Sequence, residues 1–151
     1  MLIIFDIDGT LAIRDHRRGL KDQGADIYLA ASMQDQPNMA LVSLLNTLRA
    51  AGHTVQIWTG RNERHRALSA AWLERQGIPA ALLCRMRPDS DDADAPGAMP
   101  DSDLKQGWLM ALPVRPDLAI DDKPEVCSMF IAHGVYALLN AGLNLIPKIL
   151  K

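Results

Sequence analysis

The sequence predicts a doubly wound, Rossmann-like α/β domain: a mostly parallel sheet of about five strands with helices on both faces. Two observations carry this. Short apolar runs alternate with amphipathic helical stretches along the whole chain, and the first run, Leu2-Ile3-Ile4-Phe5, is continuously apolar, as a strand covered on both faces must be. Several runs also end in polar residues of one kind of chemistry, Asp6 and Asp8, Thr59-Gly60-Arg61, and Asp121-Asp122. Those strand ends form the sheet edge at which open α/β sheets bind ligands.

Taken in order, residues 2–6 form the first strand, and 11–36 read as loop with at most a short helix. That loop carries Arg14, His16, Arg17, Arg18 and Lys21. Bases in such a segment ordinarily solvate a surface, and only Arg17 is singled out here for the site. A helix follows, with Asp35 near its cap, Pro37 in its first turn, Leu41, Leu44, Leu45 and Leu48 as its inward stripe, and Gly52 as its stop. His53 is then a turn residue. Residues 54–58 give the second strand. A helix over about 64–76 turns Leu68, Ala71 and Trp72 inward and stops at Gly77 and Pro79. Residues 80–84 give a third strand, and 88–101, rich in Pro, Asp, Gly and Ala, a mobile loop. A helix over about 102–112 buries Leu104, Trp108, Ala111 and Leu112. Residues 117–120 make the fourth strand. Pro124 opens a helix with Val126, Met129 and Phe130 on one stripe, His133 near its end and Gly134 as its stop, and 135–139 supply the fifth strand. The apolar tail, 140–151, is expected to pack along the sheet edge.

A chain of 151 residues, 48% apolar, suffices for one domain spanning 1–151 with a single core. No apolar run approaches a signal peptide or membrane span, so a soluble, cytoplasmic protein is expected. Cys84 and Cys127 lie far apart with no Cys-x-x-Cys pair and read as two buried thiols. The net charge is −2, but six acids and no base fall within 89–103, and the remaining chain carries +4. A basic body suits a phosphate-rich partner.

The polar strand ends carry the chemistry. Two carboxylates at i and i+2, followed by Gly9, also suit a turn or part of a calcium loop. The calcium template needs further acids and a closing Glu, and positions 10–17 supply only Asp15. Paired acids serving catalysis are therefore the preferred reading. A hydroxyl, a Gly and an Arg in Thr59-Gly60-Arg61 make a phosphate cradle just ahead of a helix. Arg64, His65 and Arg66 open that helix, where cations oppose the macrodipole unless an anion is bound. Adjacent Asp121 and Asp122 at a strand's end repel one another without a cation, which a metal explains most simply. Lys105 lies four residues after Asp101. Either Asp101 caps the helix, or it orients Lys105 toward the acid cluster.

In order, Asp6-x-Asp8-Gly9-Thr10, Thr59-Gly60-Arg61, Lys105 and Asp121-Asp122 resemble the four motifs of the haloacid dehalogenase-like phosphohydrolase superfamily. Within it the chain is similar to the 3′-phosphatase domain of polynucleotide kinase/phosphatase. That likeness rests on the Arg17 spacing after Asp6, Arg61, Ser69 to Trp72-Leu73, Asp101 ahead of Lys105, and Leu118-Ala119-Ile120-Asp121-Asp122-Lys123. Ser69 stands where the family usually has Thr, the acidic stretch at 89–103 has no counterpart, and no Gly-x-x-x-x-Gly-Lys-Ser/Thr phosphate loop occurs in the chain.

The resemblance implies that Asp6 attacks phosphorus to give an aspartyl-phosphate, while Asp8 protonates the leaving oxygen and then deprotonates water. Lying in a negatively charged cluster, Asp8 is expected to have a raised pKa. Mg²⁺ is then held by the Asp6 carboxylate, the Asp8 main-chain carbonyl and Asp121-Asp122. Thr59 and Lys105 bind the transferring phosphoryl oxygens, and Arg61 and Arg17 grip the substrate. Such electrostatic support suits phosphate monoesters, whose hydrolysis enzymes accelerate by up to about 10²¹-fold.

The gaps between motifs are about 45 residues each and leave no room for a large cap domain. An open site admits the 3′ end of DNA or RNA, with the bases at 14–21 and 61–66 tracking its backbone. Trp58, Trp72 and Trp108 sit at core-like positions, so little sequence preference is expected. The alternative within the same chemistry is a nucleotidase or other small-molecule phosphatase. A phosphoacceptor signalling domain is disfavoured because its acceptor Asp follows the third strand, which ends here in Cys84-Arg85. A silent nucleic-acid-binding module is disfavoured by the full set of catalytic residue types.

Overall fold

A computed structural model describes residues 1–142. Its elements run β1 (Leu2–Phe5), β2 (Ala12–Ile13), α1 (Ala25–Ala30), β3 (Gln36–Pro37), α2 (Met39–Ala50), β4 (Thr54–Asn62), α3 (Arg66–Arg75), β5 (Leu83–Arg87), α4 (Asp101–Met110), β6 (Leu118–Asp121), α5 (Pro124–Ala132) and β7 (Tyr136–Leu139). Five strands form one sheet in the order β5-β4-β1-β6-β7, every pair parallel. The chain moves outward from β1 to β4 and β5, then crosses back to β6 on the other side of β1. That reversal opens a crevice beyond the carboxyl ends of β1 and β6.

Alternation along the central strands divides the core between the two faces. Ile3 and Phe5 join Val55, Ile57 and Ile120 in the layer under α2 and α3, where Val42, Leu45, Trp72 and Leu73 meet them. Ile4 and Ala119 join Trp58 in the layer under α4 and α5, with Leu109, Val126, Met129 and Phe130. Trp72 is wholly buried and its indole N–H donates to the Asp35 carbonyl at 3.0 Å. Trp72→Ala is expected to cost about 3–5 kcal/mol, read as a lowered urea midpoint.

The helix stripes differ in detail from those expected. Leu44, Ala71 and Ala111 are exposed, whereas Val42, Ser69 and Leu109 are buried; one helical position to either side satisfies the same periodicity. Trp108 is half-buried, edge-on to Trp58 at 5.9 Å. Cys127 is buried as expected, but Cys84 is exposed, because β5 begins at Leu83 after a 3₁₀ turn at Ala80–Leu82.

Residues 15–34 are not a loop. They form two 3₁₀ segments, Asp15–Gln23 and Ala31–Gln34, flanking α1, and the antiparallel pair β2–β3 closes their base. The acidic stretch after β5 has neither helix nor strand before α4, as expected of a loop, and is tethered at several points. The Asn62 amide donates to the Pro88 and Asp91 carbonyls at 3.1 and 3.0 Å. Arg87 reaches Asp91, the Met99 carbonyl and Asp101. Asp91 and Asp101 thus tie this stretch to the end of β5. The proposed packing of the tail lies, from residue 143 onward, outside the described residues. Among the described residues, no helix is long and apolar enough to cross a membrane.

Candidate active site

Asp6 follows β1, Asp121 ends β6 and Asp122 comes next, so the neighbouring parallel strands bring three acids into the crevice. One carboxylate oxygen from each lies within 4.8 Å of the others. Lys105, only 2% exposed and one turn into α4, donates from Nζ to Asp6 Oδ1 at 2.8 Å and to Asp121 Oδ2 at 2.6 Å. Burial pushes the Asp6 carboxyl well above the ordinary range; Lys105 opposes this, and Asp121 and Asp122 add to it. Burial alone would also lower the Lys105 pKa, but the two acids outweigh it and raise it.

Asp8 sits in the opposite environment. Arg61 embraces its carboxylate with Nε and Nη2, both at 2.7 Å, and Arg17 bonds it as well. Burial tends to raise its pKa, but Arg61 and then Arg17 outweigh burial and hold it far below the usual carboxylate range. The expected rise at Asp8 is thus reversed: its nearest charges are arginines, and the raised carboxyl is Asp6.

Arg17 is completely buried. Its Nε and Nη2 bond the two oxygens of Asp35 at 2.8 and 2.7 Å, and its guanidinium lies 4.3 Å from the Tyr28 ring. Its contacts therefore run to Asp8 and Asp35. Asp35 is not a helix cap; Asn38 occupies that place, and Asp35 also accepts from His16 at 2.8 Å.

Thr59, Gly60 and Arg61 lie inside β4, not after it, because bulged pairing with β5 carries the strand on to Asn62. The Thr59 hydroxyl accepts from the Arg61 backbone N–H at 3.3 Å, and Arg61 Nη1 donates to the Ser69 hydroxyl at 3.1 Å. Asp101 is the first residue of α4, makes no side-chain cap and does not bond Lys105. It pairs instead with Arg87 and Lys123 and packs on Gly60, where an added Cβ would meet its Oδ1 at 2.6 Å.

Three contributors gave no sequence signal, because their partners are remote. Arg14, expected on a solvated surface, donates to Asp122 Oδ2 at 3.0 Å. Arg87 braces Asp101. Asn140 donates its side-chain amide to the Gly9 carbonyl at 2.6 Å and its backbone N–H to the Asp121 carbonyl at 2.8 Å. The basic segments are also less free than composition suggests: Arg18 pairs with Asp15, Arg64 with Asp89 and Asp92, and Arg66 with Glu63.

Gly9 combines a positive φ of 89° with close packing, since a Cβ there would lie 2.1 Å from Asp122 Oδ2. Gly9→Ala must therefore strain the backbone and displace Asp122. A melting temperature lowered by several degrees and the loss of any stabilisation by added Mg²⁺ are the expected results in a thermal scan.

A doubly wound sheet with an Asp-x-Asp-Gly-Thr turn after its first strand and an acid pair after the strand beside it defines a haloacid dehalogenase-like phosphatase fold. The family model for the phosphatase domain of polynucleotide kinase (PNKP) matches residues 1–139, and the chain belongs to that family. Similar folds occur in a chain of the Pnkp1/Rnl/Hen1 complex (TM-score 0.73, 18% identity, covering 91% of this chain and 45% of that one). They occur also in a chain of the Pnkp1/Rnl/Hen1 RNA repair complex (0.71, 18%, 91% and 41%) and in a Clostridium difficile protein assigned as a phosphatase (0.63, 12%, 91% and 83%). The chain thus spans less than half the length of the first two. No curated protein sequence matches it.

Proposed function

We propose that this chain is a Mg²⁺-dependent phosphomonoesterase that removes the 3′-phosphate from nucleic-acid ends through an aspartyl-phosphate on Asp6. The observation that carries the proposal is the placement of both carboxylates, their cations and the Asp121-Asp122 pair at one sheet edge. Asp6 is buried among acids and gripped by Lys105, while Asp8, two residues on, is held ionised by two arginines. By themselves these environments oppose the two roles, since a nucleophile must be ionised and a proton donor protonated. A cation beside Asp6 would favour its ionised form, and a phosphate drawing Arg61 away would let Asp8 take up a proton.

In this reading Asp6 attacks phosphorus, with Lys105 and Thr59 beside the phosphoryl oxygens. Asp8 supplies a proton to the leaving oxygen and takes one from the water that cleaves the acyl-phosphate. An arriving phosphate competes for Arg61 and so loosens the hold on Asp8 just when it must carry a proton. Arg17, fixed by Asp35, keeps Asp8 in place.

The residues present fit a hard cation. Asp6, Asp121 and Asp122 offer carboxylate oxygens in one cluster, and Asp122 Oδ1 is buried with no hydrogen-bond partner among the described residues. Those three carboxylates and the Asp8 main-chain carbonyl would hold Mg²⁺, leaving room for the waters it retains. When bound it neutralises charge on the nucleophile and on the phosphoryl oxygens.

The polynucleotide substrate is supported by the family and by the likeness to a chain of an RNA repair complex. Between the first motif and α2 the described residues hold a small helical segment closed by β2 and β3, which leaves a polymer end access. The exposed pairs Arg18–Asp15 and Arg64–Asp92 contribute little to stability, so they exchange readily for phosphodiesters. The test is phosphate release with Mg²⁺ from a 3′-phosphorylated oligonucleotide, its 5′-phosphorylated twin and a 3′-mononucleotide. Preference for the first supports the proposal; preference for the mononucleotide replaces it with a nucleotidase.

A further inference from the structure

Among the described residues two cations bond the acid cluster with their side chains, and they divide its members. Lys105 bonds Asp6 and Asp121 but not Asp122. Asp122 is served by Arg14, whose Nη2 donates to its Oδ2 at 3.0 Å across 108 residues of sequence. Arg14 is in turn fixed at its base. Ala12 donates to the Ile7 carbonyl at 2.8 Å, Gly9 donates to the Ala12 carbonyl at 2.9 Å, and β2 pairs with β3.

Asp122 Oδ2 is confined from two sides, by the Arg14 guanidinium and by the bare face of Gly9, where a Cβ would come within 2.1 Å. Its other oxygen, Oδ1, is buried and without a protein partner among the described residues. The carboxylate is thus committed on one side and open on the other, with Asp6 and Asp121 beside it. Like-charged neighbours would swing an untethered Asp122 side chain toward solvent.

We propose that Arg14 is a positioning residue of the metal site: by clamping one oxygen of Asp122 against Gly9 it presents the other to a divalent cation shared with Asp6 and Asp121. The inference rests on the metal reading above and adds a residue to it. A guanidinium near a metal acts in two opposite ways. As a bare charge it repels the ion; as a clamp on a ligand it spares the site the cost of ordering that ligand. The contact with Asp122 decides for the clamp, because partners that orient metal ligands typically change affinity by about 10–100-fold.

The experiment is Mn²⁺ binding followed by the electron paramagnetic resonance of the free ion, at constant ionic strength, for the wild type, Arg14→Met, Arg14→Lys and Arg18→Ala. Methionine keeps the apolar stem of Arg14, which is 25% exposed, so the variant folds. Among the described residues Arg18 pairs with Asp15 alone, at the surface, and its removal reports the effect of one lost positive charge without the clamp. Binding weakened about tenfold in Arg14→Met, largely restored in Arg14→Lys and unchanged or tighter in Arg18→Ala is the expected pattern. Unchanged or tighter binding in Arg14→Met overturns the proposal while leaving the metal reading intact. A wild type that binds no Mn²⁺ overturns both.

Discussion

Replacing Asp6 by Asn should lower phosphate release at least about a thousandfold, the scale of loss when a covalent nucleophile is removed, while leaving the fold intact. Asn is nearly isosteric, and its amide oxygen still accepts the Lys105 ammonium that now bonds Asp6 Oδ1. The more telling half of this expectation concerns stability. Burial among Asp121 and Asp122 holds the Asp6 pKa above its unfolded value despite Lys105, so folding disfavours the ionised carboxylate. Between the unfolded pKa of about 3.9 and the raised folded value, that penalty grows with pH. In the presence of a chelator at neutral pH, Asp6→Asn should therefore melt at or above the wild-type temperature. A variant that loses activity only because it unfolds would contradict this account.

Lys105→Met should behave in the opposite way. Lys105 is buried and satisfies Asp6 and Asp121 together; without it two carboxylates are left facing each other out of water. Breaking such a pair by removing one partner typically costs about 3–5 kcal/mol, which a denaturant titration in chelator would read directly. On the proposed mechanism activity should be lost as well, since Lys105 is the cation assigned to the phosphoryl oxygens. Added Mg²⁺ should return part of the stability, because a divalent ion among the same acids replaces the missing charge. If Lys105→Met is as stable as the wild type in chelator, the two ion pairs do not hold the site together.

What sequence reading captured here is local. Continuous apolar runs mark β1 and β6, and the acids that terminate them mark the crevice, because strand and motif are adjacent in the chain. What it missed is long-range or depends on bulges. Thr59-Gly60-Arg61 reads as the end of a strand, but irregular pairing with β5 extends β4 through it. Asp35 reads as a helix cap by proximity to Pro37, yet its carboxylate closes around Arg17, 18 residues away. Asp8 reads as lying among negative charges because it is two residues from Asp6, and nothing local shows that two arginines converge on it from different elements. Arg14, Arg87 and Asn140 were invisible for the same reason. The acidic stretch at 89–103 reads as loose from its composition, but Asp89 and Asp92, though exposed, pair with Arg64, and Asp91 and Asp101 bind Arg87.

The central chemical claim is that Asp6 carries the phosphoryl group and Asp8 releases it. It is tested most directly by acid-quenching the protein during turnover of a 3′-³²P-labelled oligonucleotide, for the wild type, Asp8→Asn and Asp6→Asn. The account predicts label on the peptide containing Asp6 in the wild type, more of it in Asp8→Asn if attack outpaces the unaided hydrolysis step, and none in Asp6→Asn. Turnover with no labelled protein in any of the three, or label that survives in Asp6→Asn, would contradict it.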